Sequence, residues 1–383
     1  MVSATGRSGD SAENGGVSNI RQRVFQGGDW SGDMATRRHS STGAYQGQRP
    51  RKGRHTVTEQ RNCPEGAAAE MELDNGTRVQ KFILLGFGVG QQERFLLLVF
   101  FGILYVVTLA ENITIITLVV LDTHLSRLPM YILLGNFSWL EICYVSTTAP
   151  RMLFDLASPY GIIPFSDCFL QFYLLFSFGA TENFFLSAMA LDRYLAICHP
   201  LHYPQLMTQE SCYHLVVACW ICGFMGYVVP VIMMSKMSFC GPNVIDHFLC
   251  DPGPILALAC PPLGVTPIVF QFCANVLILG NVLFAVLSYA IVILTLLKPS
   301  FEGKRRKAFS TISFHIVVVT LFYGSVAGMY LAPDGENQRE TAKAITLFYT
   351  SATPFLNPMI YCLRNDQVKE ALQRLSKRKL RFR

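Results

Sequence analysis

The segment Met189–Pro204, M-A-L-D-R-Y-L-A-I-C-H-P-L-H-Y-P, closes a long apolar run that begins near Cys168. It places the carboxylate of Asp192 beside the guanidinium of Arg193, and two prolines follow. Such a pair at the end of a membrane-length helix is costly unless it lies at the water boundary and neutralises itself. Proline then stops or bends the helix. The segment therefore predicts the end of a spanning helix, where the ion pair either only sets the depth of the helix or takes part in function.

The composition of the whole chain indicates a protein that is solvated mainly by lipid. Of its 383 residues, 51% are hydrophobic and 15% are charged, and the mean hydropathy is +0.33. The charged share of soluble domains is about 25%. The net charge of +6 comes from basic residues beside the apolar runs, as the positive-inside rule expects, so it does not indicate a nucleic-acid partner. We predict an all-α membrane protein.

Apolar segments of spanning length recur along the chain. Seven are predicted, at about residues 95–121, 128–144, 168–191, 211–234, 267–297, 308–331 and 342–363. Basic residues gather after the first, third and fifth segments and in the tail, which places those parts in the cytoplasm and the N-terminus outside. Apolar residues at helical spacing in 364–383 favour an amphipathic helix on the inner leaflet, the alternative being an ordinary solvated tail. The predicted fold is a seven-transmembrane-helix bundle over 95–363 with a short amphipathic eighth helix.

The N-terminal region divides at Met71. Residues 1–70 are rich in Gly, Ser, Arg and Gln without apolar periodicity, so we expect them to be disordered. The segment that begins at Met71 resembles the natural N-terminus of a protein. We expect Met71 to be the initiator and residues 71–94 to be extracellular. Within it, Asn75 begins an Asn-Gly-Thr sequon, which predicts glycosylation.

The Met189–Pro204 segment resembles the end of the third helix of odorant receptors, which are rhodopsin-like G-protein-coupled receptors. That family has a nearly identical M-A-Y-D-R-Y-x-A-I-C-x-P-L-x-Y string. Further matches are the Pro-Met-Tyr at the start of the second span, the Ser-Tyr that ends the fifth and the P-F-L-N-P-M-I-Y of the seventh. Two departures are Glu111, where the family usually has glycine, and Leu191, where it has tyrosine.

The resemblance implies a plasma-membrane receptor that binds a small volatile odorant in the outer half of the bundle. Its ligand positions carry over to a mostly apolar set on the third, fifth and sixth spans. This set is Leu175, Phe176, Gly179, Ala180, Asn183, Cys273, Val276, Leu277, Tyr323, Val326 and Tyr330. The third span has no aspartate there to hold an amine, so a weakly polar, uncharged volatile fits best.

The resemblance also implies activation of a heterotrimeric G protein with an olfactory-type stimulatory α subunit, which raises cyclic AMP. Trafficking chaperones are further expected partners. The implied switch is a set of residues near the cytoplasmic end, in which Arg193 releases its contacts within the membrane. This set is Asp192, Arg193, Tyr194, Tyr289, Asn357, Pro358 and Tyr361. A proline break in the seventh helix suits such a switch, although a static kink is the alternative.

Glu141 and Glu182 are carboxyls inside predicted spans, where lipid does not tolerate them unpaired. With Asn357 they are expected to converge around a cation or a shared proton. The resemblance implies an allosteric sodium ion there, and two protonated, hydrogen-bonded carboxyls are the alternative. No nucleophile or metal triad accompanies them in the sequence, so we predict neither an enzyme nor a further cofactor.

Four cysteines fall in the predicted extracellular, oxidising layer: Cys168, Cys240, Cys250 and Cys260. Spacing alone allows three pairings, and a zinc site is disfavoured because there is no C-x-x-C clamp. The resemblance implies the pairs Cys168–Cys250 and Cys240–Cys260.

Three other functions were weighed against an odorant receptor. A related receptor used outside olfaction has the same sequence pattern. A transporter predicts internal repeats and paired broken helices, which the sequence lacks. An inert family member is the third, because Glu111 and Leu191 depart from the family pattern.

Overall fold

The computed structural model describes residues 79–158, 161–299, 303, 305–331, 338–364 and 366–381. All of them lie in one compact unit, Leu73–Arg383. The predicted initiator Met71 and the sequon at Asn75 lie outside the described residues. So do the side chains of Tyr330 and Tyr361.

The described chain is mostly helical. Its helices are α1 (Gln91–Leu121), α2 (Pro129–Ala157), α3 (Phe165–Cys198), α4 (Tyr203–Leu206), α5 (Gln209–Ser235), α6 (Pro252–Ala257), α7 (Thr266–Leu296), α8 (Arg305–Leu331), α9 (Gln338–Leu347), α10 (Thr353–Arg364) and α11 (Asp366–Arg381). A 3-10 turn, Leu125–Arg127, joins α1 to α2, and a π-helical segment, Phe348–Ala352, joins α9 to α10.

Four of the described helices are long and apolar enough to cross a membrane: α1, α3, α5 and α7. Large apolar side chains remain exposed along them, such as Phe95 at 64%, Leu279 at 64% and Ile268 at 69%. Water disfavours so many exposed apolar groups, whereas the hydrocarbon core of a bilayer solvates them. This pattern agrees with the lipid-solvated composition.

The second helix is longer than the sequence predicted. We expected it to end near residue 144, but α2 continues to Ala157. Two arginines stabilise its last turns. Arg151 bonds Asp155 four residues later, with 2.7 Å between Nη2 and Oδ1, and Arg94 of α1 donates to the carbonyls of Asp155 and Ser158 at the helix end. The predicted end of the second helix was too early because the prediction followed hydropathy alone.

The seventh predicted span is not one regular helix. It contains the π-helical segment Phe348–Ala352, one turn before the break that we expected at Asn357-Pro358. Pro354 lacks the N–H that would bond the carbonyl of Thr350, so one bond of a regular α-helical ladder is missing at this turn. Pro358 lies inside α10, which remains helical to Arg364.

A small sheet that the sequence did not predict joins three distant segments. Strand β1 (Lys81–Leu84) pairs antiparallel with β2 (Gly161–Pro164) and parallel with β3 (Val244–Ile245). Phe82 and Leu84 point to the buried side of β1. Gly161 lies so close to β1 that a Cβ atom there would be 2.6 Å from the carbonyl oxygen of Leu84.

Two disulfides lie beside this sheet. Cys168, in the first turn of α3, is bonded to Cys250 with a Cα–Cα distance of 5.5 Å. Cys240 is bonded to Cys260 with a Cα–Cα distance of 5.0 Å. These are the pairs that the family resemblance implied.

At the opposite end of the molecule, α11 packs against the turn after α1. Val368 and Ala371 are buried, whereas Leu372 is 52% exposed, so the apolar face is divided between the protein and its surroundings. Arg374 Nε lies 2.9 Å from Asp122 Oδ2. Burial raises the pKa of Asp122, but the Arg374 guanidinium and backbone N–H donors lower it more, so the net shift is downward.

Candidate functional site

Arg193 is held by its own neighbour at the end of α3. Its Nε donates to Asp192 Oδ2 at 2.8 Å, and the other carboxylate oxygen accepts from the hydroxyl of Tyr203 in α4 at 2.8 Å. Asp192 is fully buried, and the side chain of Arg193 is 15% exposed. A buried carboxylate is tolerable only when both oxygens are paired, as they are here. The sequence predicted the ion pair but missed Tyr203.

Tyr194 and Tyr289, the other switch residues near this end, make different contacts. The hydroxyl of Tyr194 lies 3.1 Å from His199 Nε2. Tyr289 of α7 packs edge-on against the ring of His315 in α8, with 5.6 Å between the centroids. The Tyr289 hydroxyl is buried and has no hydrogen-bond partner in the described part of the chain. Tyr289 therefore contacts α8 here rather than Arg193.

Glu141, Glu182 and Asn357 meet in the middle of the bundle, as predicted from their positions. The amide of Asn357 donates to Glu141 Oε1 and lies close to the Glu182 carboxyl as well. All three residues are at most 2% exposed. Each keeps one oxygen without a partner among the described residues. Two buried carboxyls bridged by one amide therefore form a polar cluster in the core of the bundle.

The predicted ligand residues of α3 lie together on the inside of the bundle. Leu175, Ala180 and Asn183 are buried, and Phe176 and Gly179 are half-buried. A Cβ built on Gly179 would lie in ordinary van der Waals contact with the Tyr144 hydroxyl, at 3.9 Å, so a methyl group there would not clash.

The predicted residues of α7 and α8 divide into inward and outward positions. Cys273, Leu277, Tyr323 and Val326 are half-buried. Val276 is 56% exposed on the outside of α7, which corrects its place in the predicted set. It precedes Leu277, which packs towards Gly226 of α5, and neighbouring helix positions differ by about 100°.

Two polar residues that the sequence analysis missed connect α3 with α7. The hydroxyl of Ser187 lies 2.6 Å from Asn281 Oδ1, and Asn281 also donates to the carbonyl of Leu277. Ser187 follows Asn183 by four residues, and Asn281 interrupts an apolar helix. Both signals were visible in the sequence, but the partnership of two distant residues was not.

Glu111, which departs from the family pattern, lies beside a polar contact between α1 and α10. Asn112 donates to the carbonyls of Thr108 and Pro354, at 2.9 and 3.4 Å. Glu111 Oε2 is buried and has no partner among the described residues. The substitution thus adds an unsatisfied polar atom next to an interhelical bond.

The loop that follows α5 closes the end of the bundle that carries the disulfides. Lys343 of α9 bonds Asp246 of this loop at 2.7 Å and Glu340 at 3.0 Å. Burial, together with the positive charge of Lys343, lowers the pKa of His247 to about 4. Burial raises the pKa of Asp251 to about 6, although its carboxylate accepts from the Gly253 N–H at the start of α6.

The fold and this buried polar interior define a multi-pass membrane protein. Residues 101–379 match the family model described as olfactory receptor. Human olfactory receptor 11G2 is 49% identical over 300 residues, which are 78% of this chain and 87% of that receptor. Human olfactory receptors 11H6 and 11H4 are 49% and 46% identical, over 78% and 77% of this chain and 90% and 91% of their own lengths. The chain belongs to the olfactory receptor family, a class of receptors and not of enzymes.

Proposed function

We propose that this protein binds a small volatile odorant between α3, α7 and α8, and that binding activates a stimulatory, olfactory-type G protein that raises cyclic AMP. The observation that carries the proposal is the restrained Arg193, whose guanidinium is paired with a buried carboxylate at the end of α3. The extensive similarity to human olfactory receptors supports it.

In this proposal the bundle has seven spans. They are α1, α2, α3, α5, α7, α8 and the interrupted helix from α9 to α10. The disulfide-bonded end faces outside and the Arg193 end faces the cytoplasm of a cell at its plasma membrane. The distribution of basic residues and the need of disulfides for an oxidising compartment support this orientation.

Signalling then follows from a two-state equilibrium. An odorant that binds one arrangement of α3, α7 and α8 more tightly shifts the population towards that arrangement. Release of Arg193 from Asp192 would free it for the G protein, with Tyr289 as its new neighbour once α8 moves. A sodium ion, or protons, at Glu141 and Glu182 would favour the resting arrangement, because they neutralise converging oxygens that would otherwise repel.

The test is cyclic-AMP output from cells that express the full chain with the olfactory-type G protein and a trafficking chaperone. Arg193→Ala is compared with Arg127→Ala, which removes an arginine elsewhere on the same predicted side. We expect an odorant-dependent rise that Arg193→Ala abolishes and Arg127→Ala preserves. Silence at confirmed surface expression, or a response unaffected by Arg193→Ala, would contradict the proposal.

A further inference from the structure

Asn275 carries an amide on the outward face of α7. It lies three residues after Phe272 and four before Leu279, which are 67% and 64% exposed, so the three side chains share one face of the helix. Gln271, one turn earlier, is also exposed, and its Nε2 donates to Asn275 Oδ1 at 2.8 Å. Two adjacent amides therefore interrupt a stripe of large apolar side chains.

Asn275 lies at a depth where lipid offers no hydrogen-bond partner. The 31 residues of α7 make a helix about 46 Å long, against about 30 Å for the hydrocarbon core of a bilayer. Asn275 is the tenth residue, about 14 Å from the first, and lies in the hydrocarbon when the helix is centred. Acyl chains neither donate nor accept hydrogen bonds, so a polar atom at this depth must be satisfied by protein.

The amide of Asn275 is used differently from those of four other asparagines in the apolar helices. The Nδ2 atoms of Asn112, Asn136, Asn183 and Asn281 each donate to the carbonyl four residues earlier in their own helix, at 2.7 to 2.9 Å. Among the described residues, Asn275 Nδ2 has no such acceptor, and its oxygen is bonded to the glutamine one turn earlier. Turning both amides over leaves the oxygen unpaired instead, so one end of Asn275 lacks a partner in either assignment.

We propose that α7 forms an interface between two copies of this protein in the membrane, in which Asn275 of each copy is bonded to Asn275 of the other. A second copy inserted in the same orientation presents this residue at the same depth, because a twofold axis along the membrane normal leaves depth unchanged. A primary amide is both donor and acceptor. Each Nδ2 therefore donates to the opposite Oδ1, whose second lone pair remains beside the bond from Gln271.

Other occupants fit this face less well than a second copy does. Lipid covers Phe272 and Leu279 but leaves the amide of Asn275 unpaired. A different membrane protein fits only when it presents a polar side chain at the same depth on an outward face. The second copy meets that condition by symmetry, and its own Phe272 and Leu279 supply apolar contacts on both sides of the amide pair.

The first experiment measures association of the full chain in cells, through energy transfer between copies that carry a donor and an acceptor fluorophore. We expect transfer to saturate as the acceptor level rises. Asn275→Leu should weaken association about tenfold or more, because two interhelical hydrogen bonds are lost. Asn275→Gln keeps an amide and should preserve association. Asn136→Leu is the matched control, because Asn136 already bonds its own helix at 2.8 Å.

Oxidative cross-linking tests the same interface without altering the amide. Leu279→Cys places a thiol one turn from Asn275 on the same face, in a chain whose exposed Cys222 is replaced by serine. We expect it to form an intermolecular disulfide. Val120→Cys is the control, since Val120 is 68% exposed on α1, and it should cross-link far less.

Three results would overturn the proposal. One is transfer that rises in proportion to the acceptor level without saturating, which indicates random collisions. The second is an Asn275→Leu variant that associates as strongly as the unsubstituted chain, and the third is equal cross-linking through Leu279→Cys and Val120→Cys. Cyclic-AMP output plays no part in these measurements, so the interface is tested independently of the proposed function.

Discussion

Asp192 is the residue that, in the proposed function, holds Arg193 in the resting state. It is fully buried, and its two oxygens are paired with Arg193 and Tyr203. The sequence motif predicts the first pair because the two residues are adjacent. The second depends on the turn of α4, which brings Tyr203 back to the end of α3.

Tyr203→Phe removes one hydroxyl and leaves a buried carboxylate oxygen without a donor. We expect the restrained state to lose about 1–3 kcal/mol, so that cyclic AMP without odorant rises several-fold. Tyr213→Phe is the control, since Tyr213 is 54% exposed on α5. Basal output in Tyr203→Phe that equals that of the control would show that this bond does not restrain the receptor.

At the scale of elements, the loop between α5 and α7 contains two groups, Asp251 and His247, whose pKa shifts have opposite effects on stability. The pKa of Asp251 is raised from 3.8 to about 6, so its folded form holds extra protons between those values and stability falls as pH rises there. The pKa of His247 is lowered from 6.5 to about 4, so the unfolded form holds extra protons and stability rises with pH. The two effects oppose each other between about pH 4 and 6.

Removing either group should therefore reveal the pH dependence of stability that the other group produces. We expect the thermal midpoint of Asp251→Asn to rise as pH increases from about 4 to 6, and that of His247→Asn to fall over the same window. The unsubstituted receptor should change less than either variant. Parallel pH profiles for all three proteins would mean that neither group contributes to stability in this range.

The sequence predicted the long helices better than the short elements of the fold. Hydropathy located the long helices, because an apolar run is a local property of the chain. It ended α2 too early because the last turns of α2 are stabilised by arginine contacts, from Arg151 of α2 itself and from Arg94 of α1, which hydropathy does not register. The π-helical segment and the strands β1 to β3 escaped prediction, since a four-residue strand is specified mainly by the partners beside it.

For the whole molecule, the sheet ties the segment before α1 to the loops after α2 and α5. The Cys168–Cys250 disulfide ties α3 to the loop after α5, and Cys240–Cys260 closes that loop on itself. Gly161 is a tightly packed position in this assembly, because a Cβ atom there would lie 2.6 Å from the carbonyl oxygen of Leu84. The N-terminal segment is thereby part of the folded receptor.

Gly161→Ala tests this assembly. A Cβ at 2.6 Å from a backbone oxygen forces β1 and β2 apart, and we expect a loss of about 1–3 kcal/mol, measured as a lower thermal midpoint. The matched control is Gly102→Ala in α1, where a Cβ would have no atom within 4 Å. If both variants unfold at the same temperature, the sheet does not stabilise the receptor.

By itself, the sequence determined that this is a helical membrane protein of the olfactory receptor family, with an Asp-Arg pair at the end of its third long helix. These features are local: apolar runs, short motifs and the spacing of residues along one helix. Only the tertiary structure decided which polar atoms are paired, such as Ser187 with Asn281 and Tyr203 with Asp192. It also decided which have no partner among the described residues, such as Glu141 Oε2 and the Tyr289 hydroxyl. Hydrogen-bond satisfaction depends on groups that are far apart in the chain, so it is determined by how the helices pack.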